Sequence, residues 1–329
     1  MKKLMVLTLM VSMVLSSVFA QGGAEATSGA KWASKVEVYV PAKAGGGTDV
    51  MARALATQVA KDSGNTLTIM NNTDGSGVVA METVRTAKPD GSKILQFHTT
   101  MLIKTATGLY NKKTAEDFTI IGVSRNPGAG GYVLVAGPNA PFNSARELAE
   151  YSKQKQLLMG VETGGTVHLI TGMYALASGA NVKYVEAGTD TEKLTTLVGG
   201  NIDACFVNVN QARQYVEAGK VKALGLVSST REPLRNPVLP EVPTLVEDGY
   251  DVFFSFVNLF LGPKGMDPAL VAEIYDYYAK AAANDDVNAI LVPASMNMTF
   301  YPQAESLAIV QEQQVMLDKV VAQLGLQVK

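Results

Sequence analysis

The chain has 329 residues, enough for two domains at roughly 100–200 residues each. Hydrophobic residues make up 47% and charged residues 18%, a balance that excludes a disordered or collagen-like chain. Lys+Arg 28 against Asp+Glu 30 leave a formal charge of −2, so no general basic field favours nucleic acid.

The apolar surplus begins at the N-terminus. Lys2 and Lys3 precede an apolar run, Leu4–Leu15, and Val18-Phe19-Ala20 has the small-x-small form of a cleavage site. The run is shorter than the roughly 18–20 residues that span a bilayer, so a secretory signal cleaved after about Ala20 is expected, giving a periplasmic protein. No Cys follows it to carry a lipid, and loss of its two lysines takes the formal charge from −2 to −4.

Residues 21–34 are small and polar and are expected to form a flexible leader. Val36–Val40 then alternates as a strand and breaks at Pro41. The turn Ala44-Gly-Gly-Gly-Thr-Asp49 leads into a helix from Val50 to about Asp62, closed by Ser63-Gly64. Thr66–Met70 is the next strand, Val78–Ala87 a helix and Lys93–Phe97 a strand. The rhythm continues with strands at Thr119–Val123, Tyr132–Ala136, Leu157–Val161, Val182–Glu186, Ala204–Val207 and Ala223–Val227. Ser144-Ala-Arg-Glu147 and Thr244-Leu-Val-Glu247 both fit a capping box and predict helix starts. Strands alternating with helices point to an α/β fold with parallel sheets.

Glycine- and proline-rich stretches at 126–131 and 228–233 read as crossings between two lobes. The expected division is 35–131 for the first part of lobe 1, 132–228 for lobe 2, and 229–329 for the second part of lobe 1. From about Pro268 to Leu326 the tail is largely helical. Ile309, Met316, Val320 and Leu324 lie on one apolar face, expected to pack on the first lobe.

Both informative turns are rich in glycine. Gly45-Gly-Gly-Thr-Asp49 lies between a strand and a helix, where orphan N–H donors and a partial positive charge suit a carboxylate or phosphate. Capping of the helix by Thr48 or Asp49 is the structural alternative. A similar turn, Gly160-Val-Glu-Thr-Gly-Gly-Thr166, precedes the helix-like Val167–Ala177, and its recurrence favours binding. His168 beside it is expected to reach the cleft.

Other chemistries find little support. Gly75-Ser-Gly-Val-Val-Ala80 matches G-x-G-x-x-A, but the acidic ribose partner expected about 20 residues on is missing, so no nucleotide cofactor is expected. His98 and His168 lack zinc-ligand spacing, which leaves no metal site. G-x-S-x-G is absent. The single Cys205 lies in an apolar run and reads as a packing thiol, so no catalytic residue is assigned.

The segment Val40-Pro-Ala-Lys-Ala-Gly-Gly-Gly-Thr-Asp-Val-Met-Ala-Arg53 resembles the opening motif of the tripartite tricarboxylate transporter receptor family. Asn72–Gly77 is similar to that family's N-R-P-G-A-G turn and Lys88–Gly91 to its P-D-G-Y turn. Leu197–Asp203 is similar to L-x-G-G-x-V-D, Gly219–Gly225 to G-K-x-x-A-L-A, and Leu239–Gly249 to L-P-D-V-P-T-x-x-E-x-G.

The resemblance implies a non-enzymatic periplasmic receptor with a two-lobed, type II Venus-flytrap fold. It would capture a di- or tricarboxylate or an acidic amino acid and deliver it to one large and one small membrane subunit. No cofactor and no nucleic acid enter this reading, and the receptor is expected to be a monomer. Carried over, the ligand contacts fall on Ala44, Gly46, Gly47, Thr48 and Asp49 in one lobe. In the other they fall on Thr163, Gly164, Gly165, Thr166 and His168.

Three departures bear on the ligand. Ala42 and Lys43 stand where the family has an aromatic, and Lys43 either faces the cleft to meet a further carboxylate or lies on its rim. Glu186-Ala-Gly188 replaces Y-K-G. Asn208 replaces an Asp and favours a neutral polar group over an amine. Two other roles stay open: a ligand-presenting sensor for a membrane kinase, and an exported enzyme acting on carboxylated or amide substrates.

Overall fold

Alternation commits one face of the first strand to burial. In β1 (Lys35–Val40), Val36, Val38 and Val40 are fully covered while the residues between them are not. The structure is a computed structural model describing residues 31–125, 131–293, 296 and 298–327. The expected signal segment, most of the leader and nearly all of the first crossing lie outside the described residues. The end of the leader belongs to the core. Trp32 is buried, donates from Nε1 to the Gly91 carbonyl at 3.0 Å and packs on Tyr277, so ordered packing begins before β1.

Two sheets carry the fold. The first has the order β11 (Thr299–Tyr301), β4 (Phe118–Arg125), β10 (Val257–Pro263), β3 (Lys93–His98), β1, β2 (Thr66–Asn71). The second runs β7 (Val182–Glu186), β6 (Leu157–Val161), β8 (Ala204–Asn208), β5 (Tyr132–Ala136), β9 (Lys222–Val227). Both are mixed, not all parallel. β1 pairs parallel with β2 and β3, and β6 with β7 and β8, but β10 runs antiparallel between β3 and β4. β5 likewise opposes β8 and β9. These two strands enter their sheets after the chain has crossed from the other one, which local patterning cannot reveal. β10 escapes the sequence reading altogether, because all seven of its residues are buried and no alternation marks it.

Helices cover both faces of each sheet. α1 (Gly47–Ser63), α9 (Pro268–Ala282) and α10 (Asp285–Leu291) close one core over the first sheet, centred on Leu55, Phe260, Ile274 and Tyr278. On its other face lie α2 (Val78–Arg85), α3 (Thr100–Thr107) and α4 (Thr114–Asp117). α5 (Ala145–Tyr151) and α6 (Thr166–Ser178) cover one face of the second sheet, α7 (Asp190–Val198) and α8 (Val209–Glu217) the other. Cys205 is fully buried, and burial pushes its thiol up to about 12, leaving an unreactive packing residue.

The last helix, α11 (Gln303–Leu324), packs on β4, α3 and α4 and also on α6. It therefore reaches both sheets instead of the first alone. Its Leu324 occupies space that Gly172 leaves open, since a Cβ at Gly172 would lie 2.5 Å from Leu324 Cδ1.

Two further expectations change. Thr244 and Glu247 do exchange both capping-box hydrogen bonds, yet the segment makes only a turn that ends at Gly249. Residues 229–254 also run along the second sheet: Leu226 bridges to Thr244 and Ser228 to Phe253, and Leu239 and Val242 join that sheet's core. The chain re-enters the first sheet at Val257, well past the boundary expected at 229.

The G-x-G-x-x-A match has a conformational cause. Asp74–Gly77 forms a 3-10 turn in which Gly77 has φ 89°, and a Cβ there would lie 2.7 Å from Pro41 Cβ. Gly77→Ala is expected to destabilise the protein by about 1–3 kcal/mol through strain and this contact. Urea unfolding is the check, and a change within about 0.5 kcal/mol would contradict the packing role.

Candidate functional site

The carboxyl ends of β1 and β3 in one sheet and of β6 and β8 in the other converge on a cavity of about 430 Å³. Five helices begin at its wall, α7 at Asp190 and α8 behind its cap Asn208 among them. α1 brings Gly47 and Thr48, α3 brings Thr100, and α6 brings Thr166 and Val167. The first N–H groups of a helix have no acceptor within it, so Gly47, Thr48, Thr166 and Val167 present donors at positive dipole ends. The sheets meet here as well, with Thr100 Oγ1 3.2 Å from Thr166 Oγ1.

A buried carboxylate shapes the first turn. Asp49 Oδ2 accepts from the Gly45 amide at 2.8 Å and from Arg53 Nε at 2.9 Å, while Oδ1 accepts from Asn71 Nδ2 at 2.9 Å. Asn71 Nδ2 also donates to the Ala42 carbonyl, which joins the turn to the end of β2. Burial alone pushes the Asp49 carboxyl up, but the bonds from Arg53, Gly45 and Asn71 outweigh it and hold the group below its ordinary value. Asp49 thus fixes the turn from behind and does not face the cavity. A Cβ at Gly47 would sit 2.7 Å from Met296 Cε, so a side chain there would push the end of Met296 aside.

The twelve residues picked from the sequence separate into groups. Gly47, Thr48, Thr166 and Asn208 come together on the cavity wall. Lys43, Ala44 and Gly46 are exposed. The Gly46 amide donates to the Lys43 carbonyl, and the Lys43 ammonium acts electrostatically on Glu192 at the start of α7, so Lys43 stands on the rim. Thr163, Gly164, Gly165 and His168 line a second cavity. Their turn is already internally bonded: Thr163 N donates to Glu186, Gly164 N to His168 Nδ1 and Gly165 N to the Glu162 carbonyl. Asn208 caps α8, its Oδ1 accepting from Asn210 N at 2.9 Å, which leaves Nδ2 as its remaining donor.

Sequence reasoning missed much of the remaining wall, including His98, Tyr132, Glu162, Asp190, Phe256 and Asn258. A signal did exist for His98 and Glu162, the first at the carboxyl end of β3 and the second directly after β6. Burial, with the nearby Lys104 charge, pushes His98 down to about 4, so its imidazole is neutral at pH 7. The Thr100 amide donates to Nδ1 at 3.3 Å, which puts the ring proton on Nε2. Burial pushes the Tyr132 hydroxyl up and keeps it protonated. The charged side chains on the wall are Glu162 and Asp190, both acidic. Asp190 is internally balanced, 2.6 Å from the buried Lys193 ammonium and accepting from Asn208 N at 2.9 Å.

A wall of helix-end donors, one neutral imidazole and three aromatic side chains suits a small organic acid, and among the described residues no metal-ligating cluster is present. Nor is any described helix long and apolar enough to cross a membrane.

The family model described as "Tripartite tricarboxylate transporter family receptor" matches residues 51–326. Protein BugT of Bordetella pertussis is 26% identical over 246 residues, 73% of each chain. Among solved structures, a TctC solute-binding protein from Polaromonas is 25% identical with a TM-score of 0.71, covering 88% of this chain and 98% of its own. MatC from Rhodopseudomonas palustris, solved with bound malate, has a TM-score of 0.70 at 24% identity, covering 87% of this chain and 98% of its own.

Asp49→Ala is expected to lower stability by about 1–3 kcal/mol and to weaken ligand binding by disordering the turn. Lys43→Ala should change stability by no more than about 0.5 kcal/mol. Denaturation and calorimetry on both variants test this, and equal effects would remove the distinction. His98 carries a pH signature. Its folded value of about 4 lies below the unfolded value of about 6.5, so the unfolded chain binds more protons in between. Stability should therefore be complete above about pH 6.5 and fall as pH drops towards 4. His98→Gln should flatten that part of the profile of Tm against pH, and an unchanged slope would refute it.

Proposed function

Because the chain belongs to the tripartite tricarboxylate transporter receptor family, a family of solute-binding receptors and not of enzymes, we propose that it is a periplasmic receptor that binds a small carboxylate between its two lobes and delivers it to a transporter with one large and one small membrane subunit. The observation that carries this reading is the convergence of the α1 and α6 N-termini on one cavity of about 430 Å³. That volume suits a small organic acid. Backbone donors at a helix start hold a carboxylate without a paired cation, which accounts for a wall carrying neither Lys nor Arg among its lining residues. The malate complex of MatC, similar in fold, supports a carboxylate as the shared chemical handle.

The acidic wall narrows the choice between a polycarboxylate and an acidic amino acid. One carboxylate sits at the helix starts, opposite the Nδ2 donor of Asn208. A second carboxylate near Glu162 would meet a like charge, whereas an ammonium would meet its counter-ion and the aromatic faces of Tyr132 and Phe256. The reading therefore favours an acidic amino acid, with Glu162 selecting the amino group.

A thermal-shift screen with matched pairs tests both levels: aspartate against succinate and glutamate against glutarate. A ligand at 100 times its Kd should add about 2.7 kcal/mol of stability. Glu162→Gln is expected to weaken amino-acid binding about tenfold, corresponding to 1.4 kcal/mol, while leaving the plain diacids unchanged or tighter. No response to any acid would overturn the receptor reading. A stronger response to the diacids would overturn only the amino-acid preference.

A further inference from the structure

β10, the strand that no periodicity marks, brings a polar row to the cleft. Its Asn258 lies directly opposite His98 of β3 and Ser124 of β4 in the antiparallel register. The strand neighbours Phe97, Val123, Val257 and Leu259 all turn to the core on the side of α2, α3 and α4. Side chains alternate along a strand, so His98, Asn258 and Ser124 share the other face, where directly opposed residues stand about 5 Å apart. His98 and Asn258 line the cavity, and Ser124 is fully buried beside them.

Each member of the pair has one polar atom committed and one left over. The Thr100 amide donates to His98 Nδ1, and the ring packs against Phe97 and Phe256 at centroid distances of 4.5 and 4.9 Å. The proton on Nε2 therefore has a fixed direction. Asn258 Nδ2 donates to Ser124 Oγ at 3.3 Å, which orients the amide and leaves Oδ1 as an acceptor. Neither Nε2 nor Oδ1 bonds to another described residue, and neither is sealed from the cavity. Burial keeps the imidazole neutral at pH 7. The pair thus offers one neutral donor beside one neutral acceptor.

That pattern is selective. A carboxylate can accept from His98 but brings its own lone pairs against Asn258 Oδ1. An ammonium can donate to Asn258 but meets the N–H of His98. A hydroxyl satisfies both, accepting through its oxygen and donating through its hydrogen. We propose that His98 and Asn258 form a hydroxyl subsite, with Nε2 donating to the ligand's hydroxyl oxygen and Oδ1 accepting from its O–H. The subsite rests on the receptor reading, in which the helix starts take a carboxylate and Glu162 an amino group. What meets this pair is then a further substituent, and a hydroxyl is the smallest group that fits it. A ligand without one leaves both atoms desolvated and unpaired, so the deoxy acid is rejected.

Calorimetric titrations test this with each enantiomer of malate against succinate, and with 3-hydroxyaspartate against aspartate. They are run on the wild type, His98→Phe and Asn258→Leu, and glutamine is titrated alongside. In the wild type the hydroxylated member of at least one pair is expected to bind about tenfold or more tightly than its deoxy counterpart. Both variants should bring the members of that pair within about threefold, chiefly by weakening the hydroxylated acid. Where Asn258→Leu fails to fold, His98→Phe supplies the readout, since it keeps an aromatic ring against Phe97 and Phe256. Equal affinities within both pairs in the wild type overturn the subsite and leave the receptor reading standing. An equal loss for both members of a pair in the variants also overturns it, because the two residues would then only shape the cleft. Glutamine binding more tightly than 3-hydroxyaspartate overturns it as well, since the pair would then hold a carboxamide. Absence of binding by every acid overturns the receptor reading, and the subsite with it.

Discussion

The three hydrogen bonds on Asp49 are the constraint on which the binding geometry rests. Without them the run from Lys43 to Gly47 has no side chain of its own to hold it, and glycine-rich backbone pays heavily in entropy to adopt one conformation. With them, the start of α1 is aimed at the cleft before any ligand arrives. The carboxylate that serves this purpose is the one that a reading by motif counts as a ligand contact. Buried and absent from the cavity wall, it organises the turn from behind.

The second sheet repeats the arrangement with other means. Its turn is tied by Glu186, by His168 Nδ1 and by the Glu162 carbonyl, and what remains for the cleft is the start of α6 itself, at Thr166 and Val167. Both walls therefore spend side-chain polarity on shaping backbone and leave backbone donors facing the cavity. Under the proposed receptor role, the Glu162 charge would discriminate between ligands instead of holding them. α11 adds a mechanical condition, since it touches α3 and α6 together and any relative motion of the sheets has to slide or flex along it.

Local structure was largely legible in advance. The strands from β1 to β9 follow from apolar alternation or short apolar runs bounded by turns. Thr244 and Glu247 were legible as a capping box too, and they form one. The box closes a turn instead of opening a helix because Gly249, at φ 87°, ends the segment within two residues. β10 was not legible, for its seven buried residues carry no periodic contrast. The direction of β5 and β10 was hidden for another reason: residue pattern encodes which face is buried and not which way the strand runs.

Sequence alone determined the α/β class and the positions of the two glycine turns, because these depend on neighbours a few positions apart, but it began the first helix at Val50 where α1 starts at Gly47. It also singled out Thr48, Thr166 and Asn208, which the fold brings to one wall from three distant segments. Tertiary structure decided which of the neighbouring residues face that wall. A helix start presents only its first N–H groups, so moving from Thr166 to His168 turns a side chain about 200° around the axis, away from the main cleft and onto the wall shared with Lys104. The near-neutral charge of the chain, likewise, could not reveal that the cleft is lined by acids and the second cavity by a lysine. Net charge is a sum over the whole chain, whereas binding depends on which charges the fold buries together.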